Sequence, residues 1–349
     1  MTFPLHSKLT VQPFPYLSAN YMPEIIFATP EDLKQPVGGL VVESPQDEDH
    51  VLGAEGATGP DFDVLVDDGQ WANYAPNPEL QRNRFGDTYM CVSFSANNIA
   101  EFLVKRQYDE FVNWSDIFLG IGSGTIRGSG NGKRKVADWR RLNGYVLESD
   151  YPYTQDMTLD QVYSPLSASL LALGKKNLNF YSFLYKWLGD NSVQSLMNGL
   201  KYSPLQVDVS GSYRMDANGY VIWDESNPVY AHEVAIFGYE YGKCWYVFDS
   251  ETLQYLRFAW NYPFGSPMIH AVKRNMHIEI LKKKGGSALC VKTSGEPSLI
   301  AFSGGDITAE TLFKSLYGIS DFKQIPITEV AEWPYPIKHV FHSQAYQGE

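Results

Sequence analysis

The sequence predicts an α+β protein, and three observations predict it. Segments with helical spacing of apolar residues come first, and runs with strand character come later, so the two kinds of element are segregated along the chain. Gly and Asp/Asn turn signals separate the later runs. The 349 residues are 44% hydrophobic and 14% aromatic, with 23 tyrosines, enough to bury a core without staples.

The elements follow in order. Residues 1–68 carry Pro4, Pro13, Pro15, Pro23, Pro30, Pro36 and Pro45 and end in the acidic stretch Asp47 to Asp68. Each proline tends to end a helix, so this part reads as an extended arm with a few short strands. From Trp71 the character changes. Cys91 to Lys105 reads as a helix, because Val92, Ala96, Ile99 and Leu103 fall on one face, with Asp87 or Thr88 as its N-cap. A Gly-rich loop, Gly120 to Gly132, leads to a second helix over Val136 to Leu142, stopped by Asn143-Gly144. Leu166 to Leu173 and Ser192 to Leu200 are further helices. Strands are expected at Leu205 to Ser210, Tyr220 to Trp223, Glu233 to Tyr239, Cys244 to Phe248 and Tyr255 to Trp260. Lys282 to Gly286 reads as a linker. Beyond it a small C-terminal α/β module is expected, with strands at Ala288 to Lys292, Leu299 to Phe302 and Ile325 to Val330 and a helix at Thr308 to Tyr317. The resulting division is an arm over 1–68, a main domain over 69–281 and a module over 282–349.

Charge and cysteine usage exclude several classes. A formal charge of −12 disfavours a nucleic-acid partner. The basic run Lys133-Arg134-Lys135 with Arg140 and Arg141 is short and reads as a solvated loop and helix face. No stretch is long and apolar enough to span a membrane, and the first residues lack the pattern of a signal peptide, so cytoplasmic synthesis is the expectation. Cys91, Cys244 and Cys290 are too few and odd in number for a disulfide framework. No Cys/His pairs stand at zinc spacing, and Gly122-Ser123-Gly124 lacks the Lys-Ser/Thr of a phosphate loop, so neither a metal nor an organic cofactor is expected.

Three residues carry the chemistry. Cys91 opens a predicted helix, where the positive end of the helix dipole favours the thiolate. His232 opens the apolar strand that runs to Tyr239, a rigid mount for a base. Asp249 ends the next strand, and antiparallel pairing would set it beside His232 to orient the imidazole. Taken singly, each has an ordinary reading: a core cysteine, a structural histidine, a turn aspartate. Cys244 and Cys290 read as packing residues.

Together they resemble the papain-like cysteine peptidases. Cys91-Val92-Ser93-Phe94-Ser95 is similar to that family's Cys-Trp-Ala-Phe-Ser. Asn143 to Thr154, with Tyr151-Pro152-Tyr153, resembles the segment after its second helix. Ala231-His232-Glu233-Val234, followed by Phe237-Gly238-Tyr239, resembles its histidine strand, and Asp249-Ser250 falls where the family has Asn-Ser-Trp. His232 follows Cys91 by 232 − 91 = 141 residues and Asp249 by 249 − 91 = 158, against about 130–150 in the family. The resemblance implies a papain-like fold, a helical half with a central nucleophile helix plus an antiparallel β half. It also implies Gln81 as oxyanion donor across a lengthened loop, and Gly130-Asn131-Gly132 as the strand that binds substrate backbone. The departures are Phe85 where the family's glutamine stands, Val92 and Glu251 where it has tryptophans, and Asp249 for its asparagine.

What the resemblance implies is a thiol peptidase acting on a peptide or protein substrate. The appended segments, the missing secretion signal and the absent disulfides are similar in style to papain-like proteins of tailed bacteriophages, which implies a virion component whose arm and C-terminal module contact other virion proteins. Two alternatives stay open: a structural virion or scaffold protein with a degraded site, and a peptidoglycan amidase or endopeptidase of the same clan.

Overall fold

The computed structural model describes residues 26–29, 38–45, 51–52, 62–178 and 180–274, and beyond them the strands at 277–283, 286–293, 296–303, 323–325 and 339–342. The expected helix at Thr308 to Tyr317 lies outside the described residues, as does the end of the strand expected at Ile325 to Val330.

The first long element is α1 (Cys91–Tyr108), and its residues Cys91 through Val104 are all buried. A helix buried on every side is a central one, packed all round by its own chain. It packs against α2 (Asp116–Gly122), α3 (Lys133–Asn143) and the sheet. Among its interior polar groups, Asn97 donates to Asp116 at 2.9 Å, and Glu101 accepts the Trp114 N–H at 2.9 Å. Neither Asp87 nor Thr88 caps α1. The N-cap is Met90, and Asp87 Oδ1 is occupied by the Gln81 side chain and the Tyr89 N–H. The loop expected from Gly120 begins inside α2, because the Ser115 hydroxyl caps that helix by accepting from the Phe118 N–H. α3 ends at Gly144, whose φ of 78° and tight approach to the Gly174 carbonyl require glycine. Three short helices complete the set: α4 (Leu159–Val162), α5 (Ala168–Asn177) and α6 (Val193–Gly199).

The strands of the main sheet are β1 (Val51–Leu52), β2 (Tyr181–Leu188), β3 (Leu205–Ser210), β4 (Arg214–Met215), β5 (Val221–Ile222), β6 (Tyr230–Glu240), β7 (Cys244–Phe248), β8 (Leu256–Ala259) and β9 (Gly265–Arg274). Their order is β1-β2-β9-β3-β6-β7-β8-β5-β4. The pairs β2–β9, β9–β3, β3–β6, β6–β7 and β7–β8 are antiparallel, while β1 joins β2 and β5 joins β8 in parallel. The architecture is α+β. The sequence reading had not placed β2 and β9. β9 contains Pro267, which cannot donate to a ladder, and the register against β3 shifts between Gln206 and Asp208 where it passes. A second sheet has the order β13-β10-β11-β12-β14, from β10 (His277–Lys283), β11 (Gly286–Thr293), β12 (Glu296–Ser303), β13 (Lys323–Ile325) and β14 (His339–His342). Of the stretch that reads as a linker, Lys282 and Lys283 lie in β10 and Gly286 in β11, paired antiparallel, and 284–285 lie outside the described residues.

One core joins helix and sheet. Phe102 of α1 stacks on Phe237 of β6 at 5.8 Å and meets Phe248 of β7 edge-on at 5.9 Å. This packing fixes α1 across β6 and so sets the start of the helix relative to His232. Burying side chains of this size contributes about 1.5–3 kcal/mol each.

Candidate active site

The site lies where α1 begins. Cys91 is the first helical residue, fully buried, and Met90 supplies no side-chain cap, so the positive end of α1 faces the thiol. Tyr89, just before it, holds a left-handed φ of 56°. A bulky residue there is strained, which marks a backbone held in place by its surroundings.

β6 and β7 bring the other two residues together. Ala235 pairs with Phe248, so the antiparallel ladder carries His232 alongside Asp249. His232 Nε2 and Asp249 Oδ1 lie 2.7 Å apart, both side chains fully buried. Asp249 also accepts from the Tyr213 hydroxyl at 2.7 Å and the Glu251 N–H at 2.9 Å. With three donors the carboxylate is locked, and it locks the ring. The other ring nitrogen, Nδ1, is buried and has no hydrogen-bond partner among the described residues, while the ring and the Cys91 thiol each shift the other's ionisation.

The ionisations fit a coupled set. Burial opposes charge on His232, yet the Asp249 carboxylate and the Cys91 sulfur push the imidazole well above its usual range. Burial acts on Asp249 in the other direction, but His232 and the hydrogen bonds from His232, Tyr213 and Glu251 hold it below its ordinary value. For Cys91 burial dominates and raises the thiol, while His232 pulls it down. The imidazole and the thiol are thus coupled: His232 favours the thiolate, and burial opposes it.

Gln81 sits beside the same strand end. Its N–H donates to the Ser250 carbonyl at 2.8 Å, and its side-chain oxygen accepts from the Ser250 hydroxyl at 2.7 Å. Its amide nitrogen donates to Asp87 at 3.0 Å. An amide has two N–H donors, so Asp87 occupies one of them. Arg82, next in the chain, pairs with Glu251 at 3.0 Å.

Gly130, Asn131 and Gly132 lie against the chain's own residues 38–45. The Asn131 N–H donates to the Gly39 carbonyl at 2.9 Å, and the Val41 N–H donates to the Asn131 carbonyl at 2.8 Å, a parallel bridge centred on Leu40. From the other wall, the Leu40 N–H donates to the carbonyl of Ala231, the neighbour of His232, at 3.1 Å. The fit is tight. A Cβ on Gly130 would lie 1.8 Å from the Gly39 carbonyl oxygen, and one on Gly39 would lie 2.7 Å from the Tyr89 backbone. Leu40 joins Cys91, Val92, Ala96, Leu119 and Val136 in one apolar cluster. Glu43 accepts from the Arg134 N–H at 2.6 Å, supplying the cap that Gly132 cannot give α3. An extended segment therefore runs between the two walls and shuts Cys91 from water.

Several residues here were not singled out from sequence. Tyr213 reads as one tyrosine among many. The basic run reads in sequence as a solvated face, but Lys133 and Arg140 are buried. Lys133 meets two carboxylates, and Arg140 donates to the Ala96 carbonyl at 2.8 Å and packs over the Phe183 ring. A long cation is buried only when such partners repay its desolvation, and those partners lie far away in sequence.

No family model matches the chain, and no curated protein matches it in sequence. In structure it is similar to digestive procathepsin L2 proteinase from Tenebrio molitor larval midgut, at 17% identity over 70% of this chain and 83% of that one, with a TM-score of 0.46. It is also similar to the bromelain protease from Ananas comosus in complex with the E64 inhibitor, at 17% identity over 58% and 97%, TM-score 0.42. Xylellain, a cysteine protease from Xylella fastidiosa, is similar at 14% identity over 68% and 98%, TM-score 0.46.

Proposed function

We propose that this chain is a papain-like thiol peptidase, with residues 38–45 closing its cleft. The observation that carries the reading is the His232 imidazole, held by Asp249 through Nε2 with its Nδ1 unpartnered, and coupled in its ionisation to Cys91 at the start of a buried helix. In this reading Cys91 attacks a peptide carbonyl carbon, and the thiol proton passes to His232. The tetrahedral oxyanion is met by the Cys91 N–H and by the second N–H of the Gln81 amide. His232 protonates the leaving amine, and the thioester that remains is hydrolysed by a water that gives its proton to the same imidazole. Asp249 keeps the ring in place throughout. Gly130-Asn131-Gly132 and the Ala231 carbonyl, which grip residues 39–41 in this structure, are the backbone groups offered to a peptide substrate once that segment leaves.

The test is labelling of the purified chain by an irreversible epoxide or iodoacetamide probe, located by peptide mass spectrometry. After the 38–45 segment is displaced, Cys91 is expected to react near neutral pH faster than Cys244 and Cys290, and His232→Ala is expected to abolish the difference. Equal labelling of all three thiols, indifferent to His232, sinks the reading. A virion-associated setting, implied by the phage-type resemblance, is tested by treating purified particles with the same probe.

A further inference from the structure

The Tyr213 side chain touches both His232 and Asp249, yet it has no part in the chemistry proposed above. Val209 of β3 pairs with His232 of β6, and the ladder shifts register directly after it. The chain then turns: the Ser210 N–H donates to the Tyr262 hydroxyl at 2.9 Å, and the Ser212 N–H donates to the Ser210 hydroxyl at 3.2 Å. The turn sets the Tyr213 ring edge-on to the His232 ring, with centroids 6.2 Å apart, and edge-on to Phe258 at 5.7 Å. From there the hydroxyl donates to Asp249 Oδ2 at 2.7 Å. Asp249 Oδ1 faces His232 Nε2 at 2.7 Å and accepts the Glu251 N–H at 2.9 Å. A carboxylate only accepts, so Nε2 carries the proton in that contact.

The family that this chain resembles has asparagine where Asp249 stands. The two residues would meet these donors differently. An asparagine must keep its oxygen toward Nε2 and the Glu251 N–H, which turns its NH2 group toward Tyr213. Two donors would then meet, and the hydroxyl would have to turn and accept. An aspartate meets all three donors, and in a site this buried its charge needs them.

We propose that Tyr213 is a positioning residue: its hydroxyl fixes the second oxygen of Asp249 so that the first stays on His232, and this makes aspartate rather than asparagine the fit at position 249. The proposal rests on the peptidase reading for its consequence in catalysis, but the contact itself does not depend on that reading. Without the hydroxyl, one oxygen of the aspartate is left bare in a buried place, and a neutral asparagine loses its disadvantage.

The experiment is a double-mutant cycle in the full-length chain: wild type, Tyr213→Phe, Asp249→Asn and the two together. Tyr213→Phe keeps the ring between His232 and Phe258 and removes only the hydroxyl. The first readout is the downfield proton resonance of His232 Nε2, identified by its absence from His232→Ala. It needs neither an open cleft nor a reaction, and it should broaden through exchange with water in Tyr213→Phe. The second readout is the rate of Cys91 alkylation once residues 38–45 are displaced. Each single variant should lose about tenfold, the worth of one hydrogen bond to a charged group. In the Tyr213→Phe background, adding Asp249→Asn should cost less than about threefold more. Losses that multiply to about a hundredfold in the double variant, or a His232 resonance that Tyr213→Phe leaves unchanged, overturn the proposal. Failure of the peptidase reading would look different: Cys91 would show no selective alkylation in any of the four chains, while the resonance still broadened in Tyr213→Phe.

Discussion

At the scale of the residue, the decisive atom pair is His232 Nε2 and Asp249 Oδ1 at 2.7 Å. The imidazole is buried, and burial alone would drive off its proton. The Asp249 carboxylate and the Cys91 sulfur oppose that and raise the ring, and its charge in turn favours the thiolate. Asp249→Ala removes the support and leaves His232 and the Tyr213 hydroxyl without their acceptor. Cys91 alkylation, once residues 38–45 are displaced, should fall by about 10²–10⁴-fold, the usual worth of a positioned base, and a fall below tenfold would show that Asp249 is dispensable. Asp249→Asn keeps an acceptor for Nε2 but not the charge, so it should lose less rate than Asp249→Ala and more than none. These residues were legible in sequence because their chemistry is local: a cysteine at a helix start, a histidine at one strand start, an aspartate at the next strand end. Tyr213, Lys133 and Asp208 were not, because nothing near them in sequence announces the partners that bury them.

At the scale of the element, the segment 38–45 and the β strands pose different problems. β3 and β7 lie where their apolar pattern predicts, at Leu205–Ser210 and Cys244–Phe248. β9 carries a proline and pairs across a register shift, so its pattern was masked. The 38–45 segment has no periodicity of its own. It is extended because its N–H and carbonyl groups are satisfied by Asn131 and Ala231, which follow it in the chain by about 90 and 190 residues, and no local signal encodes that. Gly39 offers a clean way to expel it. Its φ is 120°, and a Cβ there meets the Tyr89 backbone at 2.7 Å, which a side-chain rotation cannot relieve. Gly39→Ala in the full chain should speed Cys91 labelling by at least about tenfold, corresponding to about 1.4 kcal/mol lost from the closed state. Val42→Ala, at an exposed position, should leave it unchanged. Equal labelling of wild type and Gly39→Ala would mean that the segment does not guard the thiol. A weaker gain is expected from Glu43→Gln, which replaces a charged cap of α3 with a neutral one.

At the scale of the whole molecule, buried carboxyls govern how the fold responds to pH. Glu79, Glu101, Asp116 and Glu148 converge around α1 and α2, and burial is the first cause of each one's raised ionisation, with the neighbouring carboxyls adding to it for Glu101, Asp116 and Glu148. Glu148 is pushed from 4.5 up to about 7. Glu251, beside the triad, is also pushed up to about 7, by burial and then by Asp87. A carboxyl with a raised value holds its proton in the folded chain at a pH where the unfolded chain has released it. Its contribution to stability is therefore complete below about 4.5 and is lost as pH rises through about 7. His232, also raised, works in the same direction over a higher range, whereas Asp249, lowered, favours the fold only above its unfolded value of 3.8. The sum predicts a stability maximum on the acid side of neutrality. Thermal melts should show a midpoint several degrees higher at about pH 5 than at about pH 8, with a loss steepest near neutrality. Glu148→Gln should flatten that slope without unfolding the chain, since the neutral amide mimics the protonated acid and still accepts from the Tyr153 N–H. A melting midpoint that rises with pH between those values would mean that these carboxyls are ionised in the folded protein and that their burial is offset by charge partners. In the expected case, the chain would combine its greatest stability with its least thiolate, and Cys91 reactivity would rise on the alkaline flank of the stability maximum.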